Sequence, residues 1–98
     1  MTNAWDFQSP ETIELFSHYY QNLIKAVPLE EKTFQLIYIA IQASRFVTSS
    51  VVAHTVYAKE AGATKEEVKG AILTTLLAVG CTGVTECLEA ALDAYDNA

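Results

Sequence analysis

Apolar residues recur along this chain at helical spacing, and strand signals do not recur. The first segment opens with Ser9-Pro10, a capping hydroxyl followed by proline at the first helical position, with Glu11 in the first turn. Ile13, Phe16, Tyr20 and Leu23/Ile24 then form one stripe, Lys25 lies in the last turn, and Pro28 ends the run. This predicts a helix over about 10–26. A second helix is predicted from near Leu29, with Glu30 and Glu31 in its first turn. Phe34, Leu36, Ile37, Tyr38, Ile39, Ala40 and Ile41 make it apolar nearly all round, the mark of a helix buried on most sides. Its β-branched residues also suit a strand, but the run passes into Gln42-Ala43-Ser44 without turn residues, so helix is preferred.

A break at Arg45 to Thr48 precedes a third helix, which Thr48, Ser49 or Ser50 can cap. It carries Val51, Val52, His54, Tyr57 and Ala58, and Gly62 stands just past its end as a left-handed stop. Thr64-Lys65-Glu66-Glu67 reads as a capping box, the strongest local signal in the chain. Helix four follows with Val68, Ala71, Ile72, Thr75, Leu76 and Val79, and stops near Gly80. Helix five starts near Gly83 and sets Val84, Cys87, Leu88, Ala91, Leu92 and Tyr95 on one face, with its last residues expected to fray. The fold class predicted is all-α, a bundle of about five helices in one domain over residues 1–98.

Composition changes this picture in one respect. A 98-residue domain buries only roughly 60–65% of its unfolded surface, yet 51% of its residues are hydrophobic and 18% are charged. Such a chain exposes apolar surface, and the reading is self-association, through helix two, helix three or the aromatics Trp5 and Phe7. The net charge of −6 argues against nucleic acid. The stretch from Cys81 to Ala98, with Glu86, Glu89, Asp93, Asp96 and no base, argues against anionic membranes. With neither a signal peptide nor an apolar run of ~18 residues, the expected location is the cytoplasm, with reduced thiols.

The candidate chemistry is sparse. His18, between Ser17 and Tyr19, reads as a surface residue. His54 shares a helix face with Val47 and Ser50, spaced by three and four, and spacing alone favours a packed histidine with Ser50 as its partner. On a continuous helix Cys81 and Cys87 differ by ~120° in direction and ~9 Å in rise. They therefore read as small hydrophobes, not a disulfide. No metal-ligand spacing and no phosphate loop occur, so no metal and no cofactor are expected.

Lys32-Thr33-Phe34-Gln35-Leu36-Ile37, Ala40-Ile41-Gln42-Ala43-Ser44, and His54 with Ala58 and Gly62-Ala63-Thr64-Lys65-Glu66-Glu67-Val68 together make a recognisable pattern. It resembles the carboxymuconolactone decarboxylase family, which includes the alkylhydroperoxidase D-like proteins, over roughly residues 28–95. The resemblance implies an all-α domain assembled as a homotrimer or homohexamer, with a site near the start of the motif helix at a subunit contact. One branch of that family reduces peroxides, a peroxiredoxin-type activity, with Cys-x-x-Cys-x-x-x-His and an upstream glutamate. Counted back from His54, the cysteine positions fall on Val47 and Ser50, and the glutamate position on Gln35. A thiol mechanism needs a thiolate and a resolving partner, which these residues do not supply. The lactone decarboxylase branch keeps the histidine without the thiols and takes an acidic lactone. His54 is then the candidate acid/base, with Arg45 the only cation nearby.

Three functional readings follow. The first is a non-redox or degenerate homo-oligomer that binds a small molecule near His54, in a pocket with Gln35, Val47 and Ser50. The second is an acid/base enzyme of decarboxylase or isomerase type that uses His54. The third is family-type peroxidase activity through Cys81 or Cys87, which lie outside the motif. The expected partners are further copies of the chain and a small acidic molecule.

Overall fold

The computed structural model describes residues 9–98, which form five α-helices and no strand. They are α1 (Pro10–Ala26), α2 (Glu31–Ser44), α3 (Thr48–Glu60), α4 (Lys65–Val79) and α5 (Thr82–Asn97). Trp5 and Phe7 lie outside the described residues.

Local chemistry sets most of the boundaries. The Ser9 hydroxyl accepts from the Thr12 backbone N–H, and Pro10 is the first helical residue. The Thr64 hydroxyl accepts from the Glu67 N–H while the Glu67 carboxylate accepts from the Thr64 N–H, so the capping box is complete. Burial apart, Glu67 is held below the usual carboxylate range by that backbone hydrogen bond and by Lys32 of α2, whose ammonium lies 3.1 Å away.

Two helices end in the same way. After α3, Gly62 at φ +96° donates to the Lys59 carbonyl and Ala63 donates to the Ala58 carbonyl, the paired bonds of a Schellman motif. After α2 the same pair runs from Phe46 to Ala43 and from Val47 to Gln42. Phe46 occupies the left-handed position there at φ +62°, which sequence reading did not anticipate because glycine is the usual signal. This turn reverses the chain and delivers α3 against α2.

The core is made of small and medium side chains. Ile39 and Ala43 of α2, Val51 and Ala58 of α3, Val68 and Ile72 of α4, and Cys87 and Ala91 of α5 are fully buried. Gly83 brings α5 onto α2: a Cβ there would stand 2.6 Å from the Ala43 carbonyl oxygen. α1 is different. None of its residues is buried, so its apolar stripe contributes walls rather than core.

Several expectations are corrected here. α2 is not buried on most sides: Gln35 is buried on it while Ile37 and Ile41 are about half exposed. A lone chain has only enough partners to cover one face of this helix. α3 is not capped by Thr48, Ser49 or Ser50. Its N-cap is Val47, with no side-chain cap, because the Schellman turn already fixes the chain there. The Thr48 hydroxyl instead donates to the Glu86 carbonyl on α5. Helix α5 runs to Asn97, and its end is tied to α3 and the loop after it. Lys59 donates to the carbonyls of Tyr95 and Ala98, and the Tyr95 hydroxyl donates to the Ala63 carbonyl. Lys65 of α4 pairs with Asp96 of α5 at 2.8 Å.

Candidate functional site

Three helices line an open cleft of about 840 Å³, within the usual volume range for small-molecule sites. α1 supplies Ile13, Phe16, Ser17 and Tyr20, spaced by three and four as one helical stripe. α3 supplies Ser49, Ser50, Ala53, His54 and Tyr57, and α2 supplies Tyr38 and Gln42 as the floor. The surface exposed in this cleft is mainly apolar, and no described residue lining it carries a formal charge unless His54 is protonated.

His54 sits at the junction of these elements and is 8% exposed. Its ring stacks on Tyr38 with centroids 3.7 Å apart and planes 21° from parallel, and Tyr57 meets it edge-on at 5.2 Å. Tyr20 of α1 completes the cage at 6.2 Å. This packing fixes the ring plane.

The partner of His54 is Gln35, with Nδ1 2.8 Å from the Gln35 carbonyl oxygen. That oxygen only accepts, so Nδ1 carries the proton and donates. In the neutral ring the lone pair then belongs to Nε2. The amide Nε2 of Gln35 donates in turn to the Tyr20 hydroxyl at 3.3 Å. Gln35 is 2% exposed, and among the described residues no buried side-chain polar atom lacks a hydrogen bond. Burial pushes His54 below the ordinary histidine range, since an imidazolium here would lose water and gain no carboxylate. Burial also raises the Tyr20 phenol, opposed by its bond to Gln35, so it stays a neutral hydroxyl.

The residues singled out from sequence fall in different places. His54 and Ser50 line the cleft. Gln35 stands behind His54 rather than in the lining. Val47, at the head of α3, is half-buried and does not line the cleft. The partner of His54 is therefore Gln35, not Ser50: stacking on Tyr38 turns Nδ1 toward α2, where the amide reaches it. His18 is exposed, with Glu14 at 3.6 Å. Arg45 donates to the side-chain carbonyl of Gln42 and lies outside the lining. Cys81 is exposed, Cys87 is buried, and both are free thiols away from the cleft.

Sequence reading missed the tyrosines. The available signal was spacing: Tyr57 is three residues after His54 on α3, and Tyr38 three after Gln35 on α2. Among the described residues, no three His, Cys, Asp or Glu side chains group as metal ligands. No helix among them is long and apolar enough to cross a membrane.

Comparison with known proteins returned no match among curated proteins and none among solved structures. The family model described as Carboxymuconolactone decarboxylase family matches residues 10–93, from the first residue of α1 into α5. That span is wider than the 28–95 in which the motif residues are recognisable, and it takes in the α1 stripe that walls the cleft. On this match, the chain belongs to the carboxymuconolactone decarboxylase family.

Proposed function

We propose that this protein is a non-redox member of its family that holds a small molecule in the α1–α2–α3 cleft, with neutral His54 as the proton acceptor. One observation carries the reading: the Nδ1–H of His54 is committed to the Gln35 carbonyl, which leaves the Nε2 lone pair as its free function. A base must be unprotonated at the working pH and held in place to accept a proton. Burial keeps the His54 ring neutral, and the Tyr38 stack holds its plane. Acid/base turnover at His54 is an extension of the same arrangement. Peroxidase chemistry is not favoured, because Val47 and Ser50 stand where a thiol pair is required and Cys87 is packed in the core.

The test pairs two assays on the full chain. The first uses an activated benzisoxazole, a neutral carbon acid whose ring opens when a base removes its proton. It should be turned over roughly 10²-fold or more faster than by the buffer, and the gain should vanish in His54→Ala. The second supplies an organic hydroperoxide with a dithiol and should show no consumption above background. Peroxide reduction, or benzisoxazole turnover that survives loss of His54, contradicts the reading.

A second reading concerns assembly. Leu29 just before α2, and Ile37 and Ile41 on its outer side, are each 44–53% exposed and line a shallow apolar groove with Val27 and Phe34. Contiguous apolar surface of this kind supports a homo-oligomer with α2 at the contact. Light scattering should give a mass above one chain's 10.7 kDa, and Ile41→Glu should lower it. A monomer at every concentration contradicts the assembly.

A further inference from the structure

The cleft's lining also bears on what it takes, an argument that rests on the reading of His54 as proton acceptor. We infer that the ligand is an uncharged, ring-bearing molecule that presents one O–H or N–H donor to Nε2 of His54, and that carboxylates are disfavoured. This departs from the acidic molecule expected from the family resemblance.

Three features of the site lead there. The first is the partner chemistry at the histidine. With its proton held toward Gln35, Nε2 offers a lone pair and no hydrogen. A carboxylate oxygen facing it would set acceptor against acceptor. It could bind well only if His54 took up a second proton, and position 35 holds an amide where a carboxylate would stabilise the resulting cation. A hydroxyl or amine N–H meets the lone pair directly.

The second is the absence of fixed charge among the described residues of the lining. Ser17, Gln42, Ser49 and Ser50 offer neutral dipoles only, beside the tyrosine hydroxyls. Glu14 and His18 flank the α1 stripe 3.6 Å apart, and Arg45, whose guanidinium donates to Gln42, lies outside the lining. An anion entering this cleft gives up water without gaining a countercharge from the described lining, and the chain's net charge of −6 repels it at long range.

The third is shape and surface. Ile13, Phe16, Tyr20, Tyr38, Ala53 and Tyr57 present apolar and aromatic faces from all three helices. Flat apolar rings lose least and gain most between such walls. The serines and Gln42 are then left to orient a second polar group, if the ligand has one.

Phenol and benzoate are the probes: both carry one ring and are similar in size, but one is a neutral donor and the other an anion acceptor at pH 7. The full chain, labelled with ¹⁵N in its histidine rings, is titrated with each. Phenol should move the His54 Nε2 resonance saturably and leave His18 in place, and benzoate should bind about tenfold more weakly or worse. Ala53 is an exposed residue of the cleft wall, so Ala53→Lys adds a cation without disturbing the core. That variant should narrow or reverse the preference. Benzoate matching phenol in the wild-type chain, or Ala53→Lys leaving the ratio unchanged, overturns the inference while His54 remains the acceptor. Phenol failing to bind with the Nδ1–H form intact overturns the ligand class alone. A His54 found with its proton on Nε2 instead removes the reading on which the inference rests.

Discussion

Gln35 decides what His54 can be. A carboxylate at that position would draw a second proton onto the ring, whereas the amide accepts one Nδ1–H and offers no charge in return. The chemistry of the pair was partly legible from sequence. The resemblance put Gln35 at the upstream acidic position and Val47 and Ser50 at the thiol positions. The hydrogen bond was not, because residues 19 apart on different helices meet only through packing. The Tyr38 stack belongs to the same gap: spacing puts Tyr38 near Gln35 on α2, but the parallel contact with a histidine on α3 arises only from packing. The expected consequence of Gln35→Glu follows from charge. His54 protonation should move from below the ordinary histidine range to above it, as followed by ring nitrogen NMR across pH. Benzisoxazole turnover at neutral pH should fall by about tenfold for each pH unit by which the new protonation point exceeds the assay pH.

At the scale of elements, the caps made the helices readable. Ser9-Pro10 and the Thr64–Glu67 box mark the starts of α1 and α4, and Gly62 marks the end of α3. The α2–α3 turn shows in sequence only as a break, because Phe46 does with a bulky side chain what glycine usually does. In sequence Gly83 suits a helix start, but its role is a contact. Helix α5 begins one residue earlier, at Thr82, and Gly83 lets it close on the Ala43 carbonyl. Because that neighbour is backbone it cannot rotate away. Gly83→Ala should therefore destabilise the fold by about 1–3 kcal/mol, seen as a lower urea midpoint with an unchanged slope. α1 shows the limit of periodicity. Its stripe is clear in sequence, yet it buries nothing fully and faces the cleft instead. Spacing identifies an apolar face but not what lies opposite it.

For the whole molecule, two groups with lowered proton affinity, His54 and Glu67, contribute to the response to acid. His54 binds protons less readily folded than unfolded, so folding is favoured fully above the unfolded value of about 6.5. That contribution declines as pH falls through that value toward the lower folded one. Glu67, held down by its cap and by Lys32, acts in the same direction at lower pH, below the ordinary carboxylate value. Stability should thus fall on acidification in two stages, with the upper one absent in His54→Ala. Urea midpoints at stepped pH values check this, and an upper stage that persists in the variant assigns it to another group. The all-α class was legible at this scale. How much apolar surface one chain leaves uncovered was legible only as an excess of hydrophobic residues, since burial depends on which faces find partners.

The most direct test of the account is the protonation state of the His54 ring in the free protein at pH 7, read from its two ¹⁵N resonances. The account predicts a neutral ring with a protonated Nδ1 and an unprotonated Nε2. A ring protonated on Nε2 alone, or on both nitrogens, contradicts it.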